Sequence, residues 1–249
     1  MDQFAPLLEL DRVFAGYGKT TILNGTSARV RRGAITTVIG PNGAGKSTMF
    51  KTAFGLLPVR SGTITFDGRD ITNCTPRQAL EPGIVYIPQG RNIFSELSVR
   101  HNLELGGVAL PDQGALADRM AAIMRRFPIL QDKANAQAST LSGGQQKILE
   151  VARGLLLEPK LILIDEPSIG LSPVMVQDVF AILTGLRDKG VTILLIEQNA
   201  KQALQISDNG LVLEQGQTRI EDSAAKILAD PRIAQLFLGG GLAQMEPVS

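Results

Sequence analysis

The chain is 249 residues long, 44% hydrophobic and 20% charged, which is enough apolar material for one compact core with small lobes attached. Its 25 basic and 24 acidic side chains nearly cancel, and no basic run exceeds Arg31-Arg32 or Arg125-Arg126, so nothing supplies the field that nonspecific nucleic-acid binding relies on. The single cysteine, Cys74, can form neither an internal disulfide nor a cysteine-paired zinc site, which fits a reducing compartment. Met1 to Leu10 has no basic stretch ahead of an apolar block, and runs such as Val191 to Ile196 fall far short of the roughly 18 residues of a membrane helix. A soluble, cytoplasmic chain is expected.

From the amino terminus, Leu8 to Val13, Thr26 to Val30 and Thr63 to Phe66 alternate in polarity and are joined by the turn residues Gly16, Gly33 and Ser61-Gly62. This pattern predicts a small antiparallel lobe within about residues 8–70. The nearly continuous apolar runs Ala34 to Ile39, Ile84 to Ile87, Leu161 to Ile164 and Val191 to Ile196 predict strands buried on both faces, hence a parallel sheet covered by helices. Between them, at about residues 90–157, the strand pattern stops and a helical lobe is expected. There Leu116, Met120, Ile123, Met124 and Phe127 fall at helical spacing, closed by Pro128, and their apolar stripe reads as packing. Ser223 to Phe237 reads as a helix around an Asp230-Pro231 break, after which Gly239 to Gly241 releases a polar tail at 241–249. With no internal repeat or second set of motifs, a single domain over about residues 8–240 is expected.

Gly40-Pro41-Asn42-Gly43-Ala44-Gly45-Lys46-Ser47 follows a predicted strand and opens a predicted helix, the context in which G-x4-G-K-[ST] binds phosphate. Glycines let backbone N–H groups converge on the β- and γ-phosphates, and the helix start adds a favourable dipole. Lys46 supplies a point charge to the same oxygens, and the Ser47 hydroxyl can ligate Mg²⁺. A dinucleotide fingerprint fails, because Lys46-Ser47-Thr48 follows Gly45 where a third glycine would be needed.

Asp165 and Glu166 end the apolar run Leu161 to Ile164. Asp165 can hold the metal, and Glu166 can then polarise the water that attacks the γ-phosphate. Taken alone, the pair could be an ordinary helix start with Pro167 at its first position; the phosphate loop upstream favours the catalytic reading. Leu141-Ser142-Gly143-Gly144-Gln145 makes a second phosphate-accepting helix start, continued by Lys147 to Arg153. One chain has two such starts and needs one. The resolution is that the second serves another subunit's nucleotide, in a head-to-tail pair sandwiching two ATP molecules.

In this order, Gly40 to Ser47, Leu141 to Gln145 and Leu161 to Glu166 resemble the nucleotide-binding subunit of an ATP-binding cassette (ABC) transporter across essentially the whole chain. The resemblance implies an α/β fold: a P-loop NTPase (RecA-like) core with a small antiparallel β lobe and a helical subdomain. It also implies ATP and Mg²⁺ as ligands, with Gly40 to Thr48 around the phosphates and Tyr17, in Gly16-Tyr17-Gly18, stacking on adenine. Gln89 matches the glutamine that contacts Mg²⁺ and the attacking water. Ser142, Gly143, Gly144 and Gln145 match the run that meets the partner's γ-phosphate. The partners implied are a second ABC ATPase, transmembrane permease subunits and, indirectly, a substrate-binding protein, which places the chain on the inner face of the membrane.

Two positions depart from the family pattern. Gln198, in Glu197-Gln198-Asn199, stands where the family usually has a histidine that grips the γ-phosphate; its amide can donate a hydrogen bond but carries no charge. Ser172 replaces the usual aspartate near the dimer interface. The only histidine, His101, lies in the helical insert. Pro88-Gln89-Gly90-Arg91, Phe94-Ser95 to Asn102-Leu103, Glu197 to Leu204 and Phe237 to Gly240 resemble the smaller ATPase of branched-chain amino-acid importers. Urea or short-chain amide importers use similar subunits. From other classes, a soluble ABC protein of repair or translation lacks its expected tandem cassettes or basic face here, whereas Gln198 and Ser172 leave a weakly hydrolysing regulatory subunit open.

Overall fold

A computed structural model describes residues 5–110, 112–231 and 233. Its first sheet is antiparallel and four-stranded, built from β1 (Leu8–Tyr17) and β2 (Thr20–Val30), and farther on from β4 (Val59–Phe66) and β5 (Arg69–Asp70), in the order β2-β1-β4-β5. This is the expected antiparallel lobe, with strands longer than the alternating runs alone indicated. The main sheet begins with β3 (Ile35–Ile39), which feeds α1 (Lys46–Ala53); α2 (Pro76–Leu80) then leads to β6 (Ile84–Ile87).

The insert follows as α3 (Val99–Gly106), α4 (Leu116–Arg126), α5 (Pro128–Asp132) and α6 (Gly143–Leu155). The chain then returns through β7 (Leu161–Asp165), α7 (Pro173–Arg187), β8 (Thr192–Ile196) and α8 (Ala200–Gln205), and closes with β9 (Asn209–Glu214), β10 (Gln217–Ser223) and α9 (Ala224–Ala229). The main sheet runs β10-β9-β3-β8-β7-β6, parallel except for β10 at one edge.

Every residue of β3, β7 and β8 is buried, and successive side chains serve opposite cores. Ile162, Ile164, Ile193 and Leu195 join the helical insert, whereas Leu161, Leu163, Leu194 and Ile196 join α1 and the antiparallel lobe. The methionine stripe does what its spacing predicts: Met120, Ile123, Met124 and Phe127 are buried in the first of these cores. The insert therefore shares apolar packing with the sheet.

The sequence reading did not anticipate β9 and β10. They are joined through Gln215 (φ 50°) and Gly216 (φ 72°), the two left-handed residues that a tight hairpin of matching twist requires. A Cβ on Gly216 would lie 1.8 Å from the Ile22 carbonyl oxygen, so only glycine fits against β2. At the far end, α9 begins after its N-cap Ser223 and ends at Ala229, next to the expected Asp230-Pro231 break, and Pro231 and Ile233 beyond it are helical again. Phe237, Gly239 to Gly241 and the tail at 241–249 lie outside the described residues. Among the described residues no helix is long and apolar enough to cross a membrane.

Candidate active site

The parallel register brings four strand ends together. Val38 of β3 and Asp165 of β7 both pair with Ile196 of β8, and Ile87 of β6 pairs with Ile164. The loops that leave these carboxyl ends carry Gly40 to Ser47, Asp165-Glu166, Gln198 and Gln89, and this edge is where open α/β sheets collect ligands.

The loop after β3 is shaped by backbone demands. Gly43 and Gly45 are left-handed, at φ 80° and 103°, and a Cβ on Gly40 would lie 2.1 Å from the Leu213 carbonyl oxygen. Helix α1 starts at Lys46 with no side-chain cap, so its first amides are free to face an anion. The unanticipated hairpin braces the loop: Gly216 N donates to the Ala44 carbonyl at 2.9 Å, and Asn24 N and Thr26 Oγ1 hold the Gly216 carbonyl. Lys46 is 7% exposed and donates Nζ to the Gly40 and Pro41 carbonyls at 2.8 and 3.1 Å. Burial pushes its pKa down, against the pull of Glu166 and Asp165.

Asp165 is 2% exposed, and burial raises its pKa against the opposing influence of the Ser47 hydroxyl, Lys46, Lys51 and the Tyr86 hydroxyl. Its Oδ1 is buried without a hydrogen-bond partner, an acceptor suited to a cation or to a metal-bound water. No group of three or more His, Cys, Asp or Glu side chains able to hold a metal occurs among the described residues. A buried carboxylate oxygen beside the Ser47 hydroxyl fits an ion that arrives with phosphate oxygens and keeps its waters, as Mg²⁺ does, and Asp165 and Ser47 would be the residues to hold it. Gln89 commits Nε2 elsewhere and would serve such an ion through its carbonyl oxygen.

That Nε2 donates to Glu166 Oε2 at 2.7 Å, and Gln198 Nε2 donates to the same oxygen at 3.0 Å. Two neutral amides thus fix one carboxylate oxygen, Oε2, while neither bonds the other, Oε1, which as a carboxylate oxygen is able to accept a proton. Glu166 is 7% exposed and adopts φ 48°, a left-handed conformation that costs a non-glycine residue about 1–3 kcal/mol. Its own N–H is tied to the Ile196 carbonyl at 2.9 Å, which holds the turn. The segment after it forms a turn, and helix α7 begins only at Pro173, so the pair is not an ordinary helix start.

Glu197 is a site residue that sequence reasoning did not use. It accepts from Ser168 N and Oγ at 2.9 and 2.7 Å and from Gln198 N at 3.2 Å, and its burial raises its pKa. It ties the turn after Glu166 to the turn that carries Gln198. Tyr17 is 47% exposed, with the Lys51 ammonium of α1 lying 5.8 Å from its ring centre. Its open ring stands beside the helix that the phosphate loop starts.

Ser142 caps α6, accepting from Gln145 N at 3.4 Å while Gln145 Oε1 accepts from Ser142 N at 3.1 Å. Gly143 and Gly144 pack against Leu171 and Met175, and a Cβ on Gly144 would lie 3.1 Å from Met175 Cγ, a tight contact that the methionine would have to yield to. Among the described residues no hydrogen bond joins Ser142–Gln145 to Gly40–Thr48. Ser172, which departs from the family pattern, caps α7 by accepting from Met175 N at 3.5 Å.

Fold and site together define a phosphate-loop nucleoside triphosphatase. The residue pattern of the ABC transporter family matches residues 23–169, more than half of the chain. A high-affinity branched-chain amino acid transport ATP-binding protein of Pseudomonas aeruginosa is 39% identical over 94% of this chain and 100% of its own length. A probable branched-chain amino acid transport ATP-binding protein of Archaeoglobus fulgidus is 36% identical over 94% and 99%. A crystal structure of the ADP conformation of an ATP-binding cassette of an ABC transporter superposes with a TM-score of 0.85 at 30% identity, covering 94% of this chain and 99% of that one. The chain belongs to the ABC transporter family, as an ATP-binding subunit with ATPase activity.

Proposed function

We propose that the chain energises import of branched-chain, hydrophobic amino acids through separate membrane subunits. The observation that carries this reading is the match along the whole length of the Pseudomonas relative. In this reading MgATP sits on Gly40 to Thr48 with Tyr17 against adenine, Lys46 on the phosphates, and Ser47, Asp165 and the Gln89 carbonyl oxygen toward Mg²⁺. Glu166 Oε1 takes the proton of the attacking water while Gln89 and Gln198 hold Oε2. The start of α6 closes on a nucleotide held by a second ABC ATPase, in a head-to-tail dimer. Closure moves permease subunits through the helical insert, and hydrolysis reopens the pair. The chain would then lie on the inner face of the membrane, held by its permease partners, while a binding protein and the membrane subunits choose the cargo.

The test is uptake of radiolabelled leucine, with labelled urea in parallel, by the native host with and without the chain. Loss of leucine uptake, restored by the native chain and not by Glu166→Gln, is the expected result. Loss of urea uptake alone, or unchanged uptake of both, would overturn the cargo assignment. The urea arm matters because relatives of other cargo lie near: the lipopolysaccharide export system ATP-binding protein of Escherichia coli K12 is 33% identical over 90% of this chain and 93% of its own length.

A further inference from the structure

Three consecutive turns on one face of α6 grip the loop that follows Gln89. Lys147 Nζ donates to the Gly90 carbonyl at 3.1 Å and pairs with Glu150 Oε2 at 2.5 Å. Glu150 Oε1 accepts from Asn92 N at 2.6 Å. Arg153 donates Nη1 to the Asn92 carbonyl at 2.5 Å, and its guanidinium lies 5.2 Å from the centre of the Phe94 ring. The Lys147 and Glu150 side chains are 7% and 3% exposed, so this ion pair is a buried one, and each side chain also has one backbone partner on the loop, through Lys147 Nζ and Glu150 Oε1. Asn102 fixes the far end of the loop, exchanging hydrogen bonds with the Phe94 N–H and carbonyl at 2.9 Å each.

We propose that Lys147 and Glu150 are positioning residues for Gln89, coupling the start of α6 to the Glu166 carboxylate. The proposal rests on the reading above, in which the start of α6 engages the partner's nucleotide. Lys147 lies five residues beyond Ser142, about 7.5 Å along a rigid helix. The Gly90 carbonyl it holds belongs to the residue next to Gln89, and Gln89 is one of the two amides on Glu166 Oε2. A shift of α6 therefore moves the Gln89 amide together with the helix start, and Glu166 is oriented for water when α6 is seated. Both charges are needed for this because the loop offers an acceptor at Gly90 and a donor at Asn92. Lys147 meets the acceptor and Glu150 the donor, and pairing with each other keeps either from being a lone buried charge.

The test is a double-mutant cycle between Lys147→Met/Glu150→Gln and Gln89→Ala, with ATP turnover, the KM for ATP and thermal melting measured for each chain. Loss of the clamp is expected to lower kcat about tenfold to a hundredfold with KM changed by less than about threefold, and to lower it no further in the Gln89→Ala background. An equal fractional loss in both backgrounds would overturn the proposal, since a merely structural pair acts independently of Gln89. Should Lys147→Met/Glu150→Gln fail to fold, Lys147→Met/Glu150→Met, which leaves no unpaired buried charge, takes its place in the cycle, and an equal fractional loss in both backgrounds there would also overturn the proposal. Native chain and Glu166→Gln are assayed alongside. Equal rates in those two would sink the assignment of Glu166 and not the clamp, so the two failures are distinguishable.

Discussion

Replacing Glu166 by Gln is expected to lower ATP turnover by about 10²- to 10⁴-fold, the range that a positioned general base supplies. The substitution keeps shape and burial and leaves an oxygen for the Gln89 and Gln198 amides, which meet Glu166 Oε2 at 2.7 and 3.0 Å. What it removes is the capacity of Oε1 to take a proton. ATP affinity should therefore change little, and the variant should accumulate bound, uncleaved ATP. Steady-state hydrolysis with a parallel measurement of retained nucleotide checks both halves. Gln198→Ala deletes one of two donors to an oxygen that Gln89 still holds, so its loss of turnover should be smaller than that of Glu166→Gln. The reverse ranking would show that Gln198 acts on the phosphates more than on Glu166.

The second large effect is expected at Lys46. Its ammonium donates to the Gly40 and Pro41 carbonyls, which compensates a 7% exposed charge and keeps it at the loop. Lys46→Met removes a charge-assisted contact from a site shielded from water. MgATP binding should weaken by about 10²-fold, or about 2.7 kcal/mol, read by calorimetric titration. Because burial depresses the Lys46 pKa below its ordinary 10.5, the protonated form is lost earlier as pH rises. Affinity of the native chain should decline on the alkaline side sooner than a solvated lysine would dictate, and Lys46→Met should lack that decline. A melting curve without nucleotide separates this from any loosening of the loop.

The phosphate loop and the acidic pair were legible in the sequence because their chemistry fixes residue types at short spacing: glycines where Gly43 and Gly45 turn left-handed, and carboxylates at the end of a strand buried on both faces. The β9–β10 hairpin was not legible. Its second strand, Gln217–Ser223, is a half-exposed edge strand of mixed polarity, and its Gln215-Gly216 turn lacks the usual Asn-Gly or Asp-Gly signal. Yet its tip holds the Ala44 carbonyl of the phosphate loop. The bonds between Ser168 and Glu197 span 29 residues, so only folding brings them together. Nothing in the sequence marks Lys147 and Glu150, three apart on a helix, as buried, and only packing against the loop at Gly90 and Asn92 makes them so. The spacing of Ser142 to Gln145 made a second helix start legible, the one that Ser142 caps, and its neighbours, Leu171 and Met175, belong to the segment after Asp165 and Glu166.

The central claim is that each chain holds one complete phosphate loop and lends its other helix start to a neighbour. The rate of ATP hydrolysis per chain, measured from nanomolar to micromolar chain concentration at saturating MgATP, tests this most directly. A composite site predicts a rate per chain that rises with concentration toward a plateau. A rate per chain that stays constant across the range would contradict it.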